Sequence, residues 1–173
     1  MYVKGWFNKG DEDTIRPYIQ ALKPNSLLVE IGTYHGKSTL FFRKTNSNIK
    51  ILTIDICSEK GIYDGYVVEM PERIDQEVLD TGNIFQVIGD SHDIVKLFNW
   101  DIDLLFIDSL HTYEDTYDDL VEWGTHVVPG GTIICHDHAP TFSGIVKAVK
   151  KYADSNDDIK VVDGGGIAIL KKC

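Results

Sequence analysis

The sequence predicts an α/β fold, in which helices cover a mostly parallel β-sheet and an antiparallel hairpin closes the C-terminal end. Two observations carry this prediction. Short apolar runs alternate with helical patterns from about residue 14 onward, and these runs are rich in Ile, Leu and Val with little alternation, as in strands that are buried on both faces. Near the C-terminus, two further runs flank three consecutive glycines at 164–166, a pattern that is typical of a hairpin.

The elements can be placed in order along the chain. The first helix carries apolar residues at helical spacing and ends at Lys-Pro-Asn, residues 23–25. Strands are predicted at 27–31, 51–54, 84–88, 102–107 and 131–135, and the hairpin strands at 159–163 and 167–170. Helical faces are predicted through Val67, Met70, Ile74 and Val78, from Tyr113 to Gly124, and from Phe142 to Tyr152. Thr112 and Thr141 are the expected N-caps of the last two helices.

The absence of repeats and long linkers predicts a single domain over residues 1–173, with a short helical cover at 1–25 and the α/β core at 26–171. The loop at 58–70 is expected to be either a mobile lid, with Tyr63 and Tyr66 as aromatic walls, or a disordered acidic loop.

Composition excludes several classes of function. The chain has 27 acidic and 17 basic residues, a net charge of -10, which repels nucleic-acid backbones and anionic lipids. No apolar run reaches the roughly 18 to 20 residues of a membrane span, and the N-terminus lacks the apolar segment of a signal peptide, so a cytoplasmic protein is expected. Three cysteines without a C-x-x-C pair indicate neither a disulfide framework nor a structural zinc site.

The loop after the first strand, from Glu30 to Ser38, reads E-I-G-T-Y-H-G-K-S. In a parallel sheet, ligands bind beyond the carboxyl ends of the strands, so this loop belongs to the candidate site. A dinucleotide motif, G-x-G-x-x-G, would require glycine where Tyr34 stands. A phosphate loop would require glycine where Ile31 stands, but the G-K-S-T run that follows keeps an NTPase or kinase as an alternative.

Polar residues follow the next two strands as well. Asp55 ends the second strand, where a carboxylate can accept hydrogen bonds from ribose hydroxyls. The third strand is followed by G-D-S-H-D, residues 89–93. As an alternative to a binding role, Asp90 or Ser91 serves only as the N-cap of a helix that runs through Phe98.

Asp108 directly follows the fourth strand, and Asp137 lies two residues beyond Cys135, where the fifth strand is expected to end. Neighbouring parallel strands lie about 4.8 Å apart, so both carboxylates can reach one cation, which would offset their repulsion. If the fifth strand continues beyond Cys135, the metal ligands would instead be Asp108, His136 and His138, because residues two apart on a strand face the same way.

Taken together, four stretches resemble the metal-dependent O-methyltransferases of class I, which include catechol, caffeoyl-CoA and macrolide- or sugar-tailoring enzymes. The stretches are V-E-I-G-T-Y-H-G-K-S from Val29, G-D-S-H-D from Gly89, I-D-S-L-H-T-Y-E-D-T-Y-D-D-L from Ile107 and V-P-G-G-T-I-I-C-H-D-H from Val128. The resemblance covers residues 26–171. It implies a Rossmann-like class I methyltransferase sandwich with a mostly parallel sheet and a C-terminal antiparallel hairpin.

The resemblance also implies a cofactor, S-adenosylmethionine, and a divalent metal, Mg²⁺ or Mn²⁺. The implied cofactor-binding residues are Glu30, Gly32, Thr33, Tyr34, Gly36, Ser38, Asp55, Ile56, Gly89, Asp90, Ser91, His92 and Asp108. The implied metal ligands are Asp108, Asp137 and His138, the last at a position where catechol-type enzymes have asparagine. His111 stands where those enzymes carry a lysine base, so His111 and Asp108 are the implied catalytic residues.

The expected reaction is therefore metal-assisted transfer of a methyl group to a hydroxyl of a small molecule or sugar. The alternatives are an NTPase or kinase, a protein that binds the cofactor without transferring its methyl group, and a metal-dependent hydroxylase. The sequence leaves open whether a second subunit completes the acceptor pocket in a homodimer.

Overall fold

A computed structural model describes residues 2–57, 60–63, 66–69, 71 and 73–173. The strands are β1 (Leu27–Ile31), β2 (Lys50–Asp55), β3 (Lys60–Tyr63), β4 (Tyr66–Glu69), β5 (Ile84–Ile88), β6 (Ile102–Ile107), β7 (Val127–Cys135), β8 (Ile159–Gly164) and β9 (Ala168–Lys172). Seven of them form one sheet in the order β5-β2-β1-β6-β7-β9-β8, and β3 pairs with β4. The strands from β5 to β7 in this order are parallel, and β9 is antiparallel to both its neighbours. The predicted fold class is confirmed.

Six α-helices accompany these strands in the described part of the chain. They are α1 (Lys9–Gln20), α2 (Lys37–Thr45), α3 (Gln76–Leu79), α4 (Ser91–Ile94), α5 (Tyr113–Gly124) and α6 (Ser143–Asp154). Short 3-10 turns follow α4 and precede α6, at Val95–Leu97 and Pro140–Phe142. No helix among the described residues is both long enough and apolar enough to cross a bilayer.

Both faces of the sheet are covered, which explains why the strands read as continuous apolar runs. Adjacent residues of β1 pack into opposite layers: Val29 joins the cluster that contains Trp123 of α5 and Val149 of α6, and Leu28 joins the cluster formed with α1 and α2. Burial on both faces fixes the register of β1, because a slip by one residue would exchange its two faces.

Several predicted elements differ in detail. The predicted helical face from Val67 to Val78 is wrong, because 66–69 is a strand and the helix is confined to Gln76–Leu79; Met70 lies outside the described residues. The short β-branched and tyrosine-containing segments on either side of 64–65 favour strands over a helix. Thr112 caps α5 by accepting a hydrogen bond from the Asp115 amide. The predicted cap Thr141 instead lies in the 3-10 turn before α6.

Within the predicted lid at 58–70, the described backbone forms the β3–β4 hairpin. Residues 58, 59, 64, 65 and 70 lie outside the described residues, as do the side chains of Tyr63 and Tyr66, so the predicted aromatic walls remain a prediction.

The strand order places the candidate site at the carboxyl ends of the central parallel strands. From β1 the chain proceeds outward to β2 and β5, then returns to β6 on the other side of β1 and continues to β7. In such sheets, the crevice at the carboxyl ends of the two strands where the order reverses is the usual ligand site. Here those strands are β1 and β6, which end at the glycine loop and at Asp108.

Candidate active site

The glycine loop crosses directly over the end of β6. Gly32 adopts φ +85, and a Cβ at this position would lie 2.0 Å from the carbonyl oxygen of Asp108. Gly36, also at φ +85, begins α2, and a Cβ there would lie 2.3 Å from Ile74. Only glycine combines this conformation with so close an approach. The spacing of the two glycines therefore reflects a loop folded tightly against its neighbours.

Asp55 holds the glycine loop from the end of β2. Its Oδ2 accepts hydrogen bonds from the backbone amides of Thr33 at 2.8 Å and Tyr34 at 2.7 Å, and its Oδ1 accepts one from the Cys57 amide at 2.9 Å. The carboxylate lines the pocket although it is largely buried. The loop amides are therefore already paired with a negative charge.

Glu30 lies at the base of the glycine loop and is not among the residues that line the pocket. This position differs from the cofactor contact expected of it. Its fully buried carboxylate accepts hydrogen bonds from the hydroxyls of Ser38, Thr39 and Thr53. Burial raises the pKa of Glu30 to about 7, although these three hydroxyls partly offset the effect. The first motif residue therefore fixes the base of α2 to the sheet.

The burial of Glu30 predicts a specific pH dependence of stability. Its pKa rises from an ordinary value of 4.5 to about 7 in the folded chain, so between these values the unfolded chain loses the proton first and the free energy of unfolding falls as the pH rises. For a shift of this size the total is roughly 3 kcal/mol. Glu30→Gln removes this ionisation, so its stability relative to the wild type should rise from pH 4.5 to pH 8.

Urea unfolding at several pH values measures this difference. Glu77→Gln, the same substitution at an exposed helical position, is the matched control and should show a constant difference from the wild type. A constant difference for Glu30→Gln as well would contradict the assignment of a raised pKa to Glu30.

At the far end of the pocket, the buried carboxylate of Asp119 on α5 joins two loops. It accepts hydrogen bonds from the hydroxyls of Ser91 at 2.8 Å and Ser109 at 2.7 Å. Burial raises the pKa of Asp119, although both serines oppose the change. Asp119 also lines the pocket. Asp119 lies in one of the stretches that carry the family resemblance, but the sequence analysis gave it no role of its own.

The polar stretch after β5 supplies both a helix cap and part of the pocket wall. Asp90 is the N-cap of α4, accepting a hydrogen bond from the His92 amide at 2.9 Å. The helix ends at Ile94 and continues as a 3-10 turn, so it is shorter than predicted. His92 Nδ1 lies 2.7 Å from a carboxylate oxygen of Glu122, which fixes the ring against α5. Gly89, Asp90, Ser91 and His92 all line the pocket.

Two carboxylates and an imidazole converge at the ends of β6 and β7. His111 Nε2 lies 3.7 Å from Asp108 Oδ1 and 3.3 Å from Asp137 Oδ2. One potential ligand atom from each of these three residues lies within 4.8 Å of the others. The predicted convergence of Asp108 and Asp137 is present because β6 and β7 pair in register, Ile107 opposite Cys135.

His138 does not join this group in the described structure. The strand ends at Cys135, and Asp137 adopts φ 53, which turns the chain. The His138 Nδ1 atom faces the carbonyl oxygen of Gly165 at 3.4 Å. In the structure, His111 and not His138 lies beside the two aspartates, and metal binding by His138 stays a prediction.

His136 contacts both aspartates and is almost fully buried. Its Nδ1 is 3.3 Å from Asp108 Oδ1 and 3.2 Å from Asp137 Oδ2, and its Nε2 is 3.3 Å from Asp11 Oδ2. Burial lowers the pKa of His136, but the close negative charges of Asp108, Asp11 and Asp137 outweigh it and raise this pKa to about 12. Burial alone would raise the pKa of Asp108, but His136 and His111 hold it at about 2.

A cavity of about 300 Å³ connects these features, a size typical of a small-molecule site. The predicted residues that line it are Gly32, Thr33, Tyr34, Ser38, Asp55, Ile56, Gly89, Asp90, Ser91, His92, Asp108, His111 and Asp137. Glu30, Gly36 and His138 are not among the lining residues. Predicted and observed lining therefore agree along the carboxyl edge of the sheet.

The N-terminal segment from Lys4 to Phe7 forms the remaining wall, which sequence reasoning did not assign. The Trp6 ring stacks on Tyr34 with centroids 5.1 Å apart, and Lys37 donates a hydrogen bond to the Gly5 carbonyl at 2.9 Å. Trp6 lies in the predicted N-terminal cover, but nothing in the sequence showed that this segment meets the glycine loop.

Comparison with known proteins decides the family. The methyltransferase domain family matches residues 29–138, more than half of the chain. The chain belongs to this methyltransferase family. The matched segment begins in β1, includes the glycine loop, and ends just after the Asp108 and Asp137 cluster.

Solved structures show the same fold. Rv0187 from MTB, in its cofactor-bound form, has a TM-score of 0.72 at 14% identity over 95% of this chain and 80% of its own. CalS11, a TDP-rhamnose 3'-O-methyltransferase, has a TM-score of 0.66 at 18% identity over 95% and 81%. MycE, solved with Mg and SAH, has a TM-score of 0.66 at 17% identity over 99% and 51%. No curated protein matches the sequence.

Proposed function

We propose that this methyltransferase transfers a methyl group from S-adenosylmethionine to a hydroxyl group of a small molecule or sugar, with the assistance of a divalent cation. One observation carries the proposal: the carboxylate-held glycine loop and the cluster of Asp108, His111 and Asp137 line the same cavity. This arrangement would place a methyl donor and a cation-bound hydroxyl side by side, so that positioning alone supplies much of the catalysis.

The glycine loop is suited to a cationic sulfonium cofactor. The absence of a side chain at Gly32 lets the loop backbone lie directly against the end of β6, at the edge of the cavity. Asp55 Oδ1 accepts one hydrogen bond from the Cys57 amide, and a carboxylate oxygen can accept two, so this atom can take a ribose hydroxyl. Ser91 and His92 would then lie along the adenine end. MycE, a structure of the same fold, was solved with SAH, which supports binding of this type of cofactor in the fold.

The same contacts argue against a phosphate loop. A phosphate loop uses its backbone amides to surround an anion, but the Thr33 and Tyr34 amides are paired with the Asp55 carboxylate. A phosphate group would have to displace this carboxylate and would be repelled by it. The Lys37 ammonium, which would contact phosphate oxygens, is bound to the Gly5 carbonyl.

The donor set of the cluster fits a divalent cation. Two carboxylates completed by water suit Mg²⁺ or Mn²⁺. The pKa of about 2 for Asp108 keeps that carboxylate ionised and able to bind metal at neutral pH. MycE, with Mg in its structure, gives a precedent within the fold. Asp108 and Asp137 are the proposed ligands.

When bound, the cofactor supplies an electrophilic methyl group, and the cation lowers the pKa of the acceptor hydroxyl. The chain itself orients the two reactants and removes a proton. His111 accepts the hydroxyl proton at Nε2, and Asp137, 3.3 Å away, stabilises the resulting imidazolium. With the cofactor bound, the acceptor oxygen would take the methyl group from sulfur, so the products would be a methyl ether and S-adenosylhomocysteine.

The direct test uses S-adenosylmethionine labelled in its methyl group with a panel of phenols, sugars and hydroxylated macrolides. We expect label in an acceptor, loss of transfer in EDTA and recovery with Mn²⁺ or Mg²⁺. Transfer that is insensitive to EDTA would contradict the metal role. Dioxygen consumption without labelled product would instead indicate a hydroxylase, and cofactor binding without transfer to any acceptor would favour a non-catalytic role.

His111 has a separate test, since the residue could bind the cation as well as accept a proton. Replacing His111 with Ala should abolish transfer while Mn²⁺ affinity, measured by titration calorimetry, stays within about threefold of the wild type. A parallel loss of Mn²⁺ affinity would show that His111 is a ligand and not the base.

Asp119→Asn should weaken binding of S-adenosylmethionine by about tenfold with a smaller effect on the maximal rate. The amide has one acceptor oxygen where the carboxylate has two, so one of the Ser91 and Ser109 hydroxyls loses the acceptor for its proton, a loss of about 1 to 2 kcal/mol. Calorimetry with the cofactor measures it, and exposed Asp118→Asn on the same helix is the control. Unchanged affinity in Asp119→Asn would contradict the positioning role.

A further inference from the structure

We infer that Asp11, on the N-terminal helix α1, is a positioning residue of the carboxylate cluster and acts through His136 to fix the orientation of Asp108 and Asp137. The inference rests on the proposed function, because it concerns how well the cluster would hold a cation. Asp11 is 97 positions before Asp108, and the fold alone brings them into the same cluster.

The imidazole of His136 lies between Asp11 on α1 and the two aspartates that follow β6 and β7. Nε2 faces Asp11 Oδ2 at 3.3 Å, and Nδ1 faces Asp108 Oδ1 at 3.3 Å and Asp137 Oδ2 at 3.2 Å. Both ring nitrogens therefore face acceptors. These are contacts at ion-pair distance, and neither ring nitrogen is aligned for a hydrogen bond. The position of the ring therefore ties α1 to the two aspartates through close charged contacts.

Among the contacts described for His136, Asp11 is the polar group on the Nε2 side of the ring. The backbone amide of His136 is bonded to the Ile107 carbonyl at 3.0 Å, which fixes the main chain. The ring lies near Phe7 and Phe106, with centroids 5.9 and 6.0 Å away, and neither of these side chains offers a hydrogen-bond acceptor. Without the Asp11 carboxylate, buried Nε2 would face apolar rings, which is costly.

Asp11 is itself held in place by the start of α1. Its Oδ2 accepts a hydrogen bond from the Asn8 amide at 2.7 Å, and the Asn8 side chain accepts hydrogen bonds from the amides of Gly10 and Asp11. This reciprocal capping box fixes the first turn of the helix. The Asp11 side chain is only 14% exposed, whereas Asp13 on the same helix is 61% exposed and pairs with Lys9.

Partners behind a metal-binding group typically change metal affinity by 10- to 100-fold when they are removed. The test is calorimetric titration of the full chain with Mn²⁺ alone, so that it needs neither acceptor nor methyl donor. We expect Asp11→Asn to weaken Mn²⁺ binding by about 10-fold or more. Asp13→Asn, which makes the same charge change on the exposed side of α1, should bind as the wild type does.

Two more variants separate positioning from charge and from folding. Asp11→Glu keeps the charge and the capping box but displaces the carboxylate from His136, so it should remain folded and still bind Mn²⁺ more weakly than the wild type. If Asp11 acts through His136, the double variant Asp11→Asn/His136→Gln should bind Mn²⁺ no more weakly than His136→Gln alone.

The outcomes are distinguishable. If the wild type does not bind Mn²⁺, the metal part of the proposed function fails. If the wild type binds Mn²⁺ and both Asp11 variants bind equally well, the function stands and the role of Asp11 is overturned. Wild-type affinity in Asp11→Glu alone, or additive losses in the double variant, would show that Asp11 contributes charge and does not act through His136.

Discussion

Asp137→Asn is expected to lower the rate of methyl transfer by about 10³-fold while changing the affinity for S-adenosylmethionine less than about twofold. A bound cation contributes several kcal/mol to stabilising charge in the transition state, and about 4 kcal/mol corresponds to this loss of rate. Asparagine is the appropriate replacement because Asp137 adopts φ 53, a conformation that asparagine tolerates better than alanine does.

Initial rates with saturating cofactor, together with calorimetry, measure both quantities. Asp118→Asn removes the same charge from an exposed position on α5 and should leave both unchanged. Full activity in Asp137→Asn would refute the metal role of Asp137. An equal loss of cofactor affinity would show instead that this residue organises the pocket as a whole.

Gly32→Ala is expected to abolish cofactor binding and to lower the free energy of unfolding by about 3 to 5 kcal/mol. A Cβ at this position would lie 2.0 Å from the Asp108 carbonyl oxygen and 2.9 Å from the Ser109 amide nitrogen. Both are backbone atoms that cannot rotate away, so the loop must move off the end of β6. The cofactor and cation sites would then be damaged together.

Gly130→Ala provides a matched control. Gly130 has nearly the same φ, +82, but no atom lies within 4 Å of its added Cβ, so it should cost only about 1 to 2 kcal/mol for the left-handed conformation. Urea unfolding of both variants separates steric contact from backbone strain. Equal losses in the two would contradict the close approach of the glycine loop to β6.

The sheet was predictable because its strands are buried on both faces. Continuous apolar runs identified β1, β2, β5 and β6 within about one residue, and Gly164 to Gly166 identified the C-terminal hairpin. The β3–β4 hairpin was missed, since four residues of Val67 to Val78 have helical spacing by coincidence, and spacing alone does not distinguish a helix from a short strand and turn. The start of β7 was also missed, because Val127–Gly130 contains proline and glycine.

The site was predictable where its residues follow strands. Asp55, Asp108 and Asp137 each lie at or just after the end of a parallel strand, and such ends meet at one edge. The contributions of Asp11, Trp6 and Asp119 were not predictable in this way. They arrive from helices or from the N-terminal segment, whose placement depends on tertiary packing, and an isolated acid on a helix has the same appearance in sequence whether it is solvated or buried.

The central claim, that the glycine loop binds S-adenosylmethionine, is tested most directly by calorimetric titration of the protein with S-adenosylmethionine and, separately, with ATP, each with and without Mn²⁺. The contacts of Asp55 and Lys37 predict that S-adenosylmethionine binds under both conditions and that ATP binds under neither. Binding of ATP without binding of S-adenosylmethionine would contradict the account and would make the segment from Gly36 to Ser38 part of a phosphate loop.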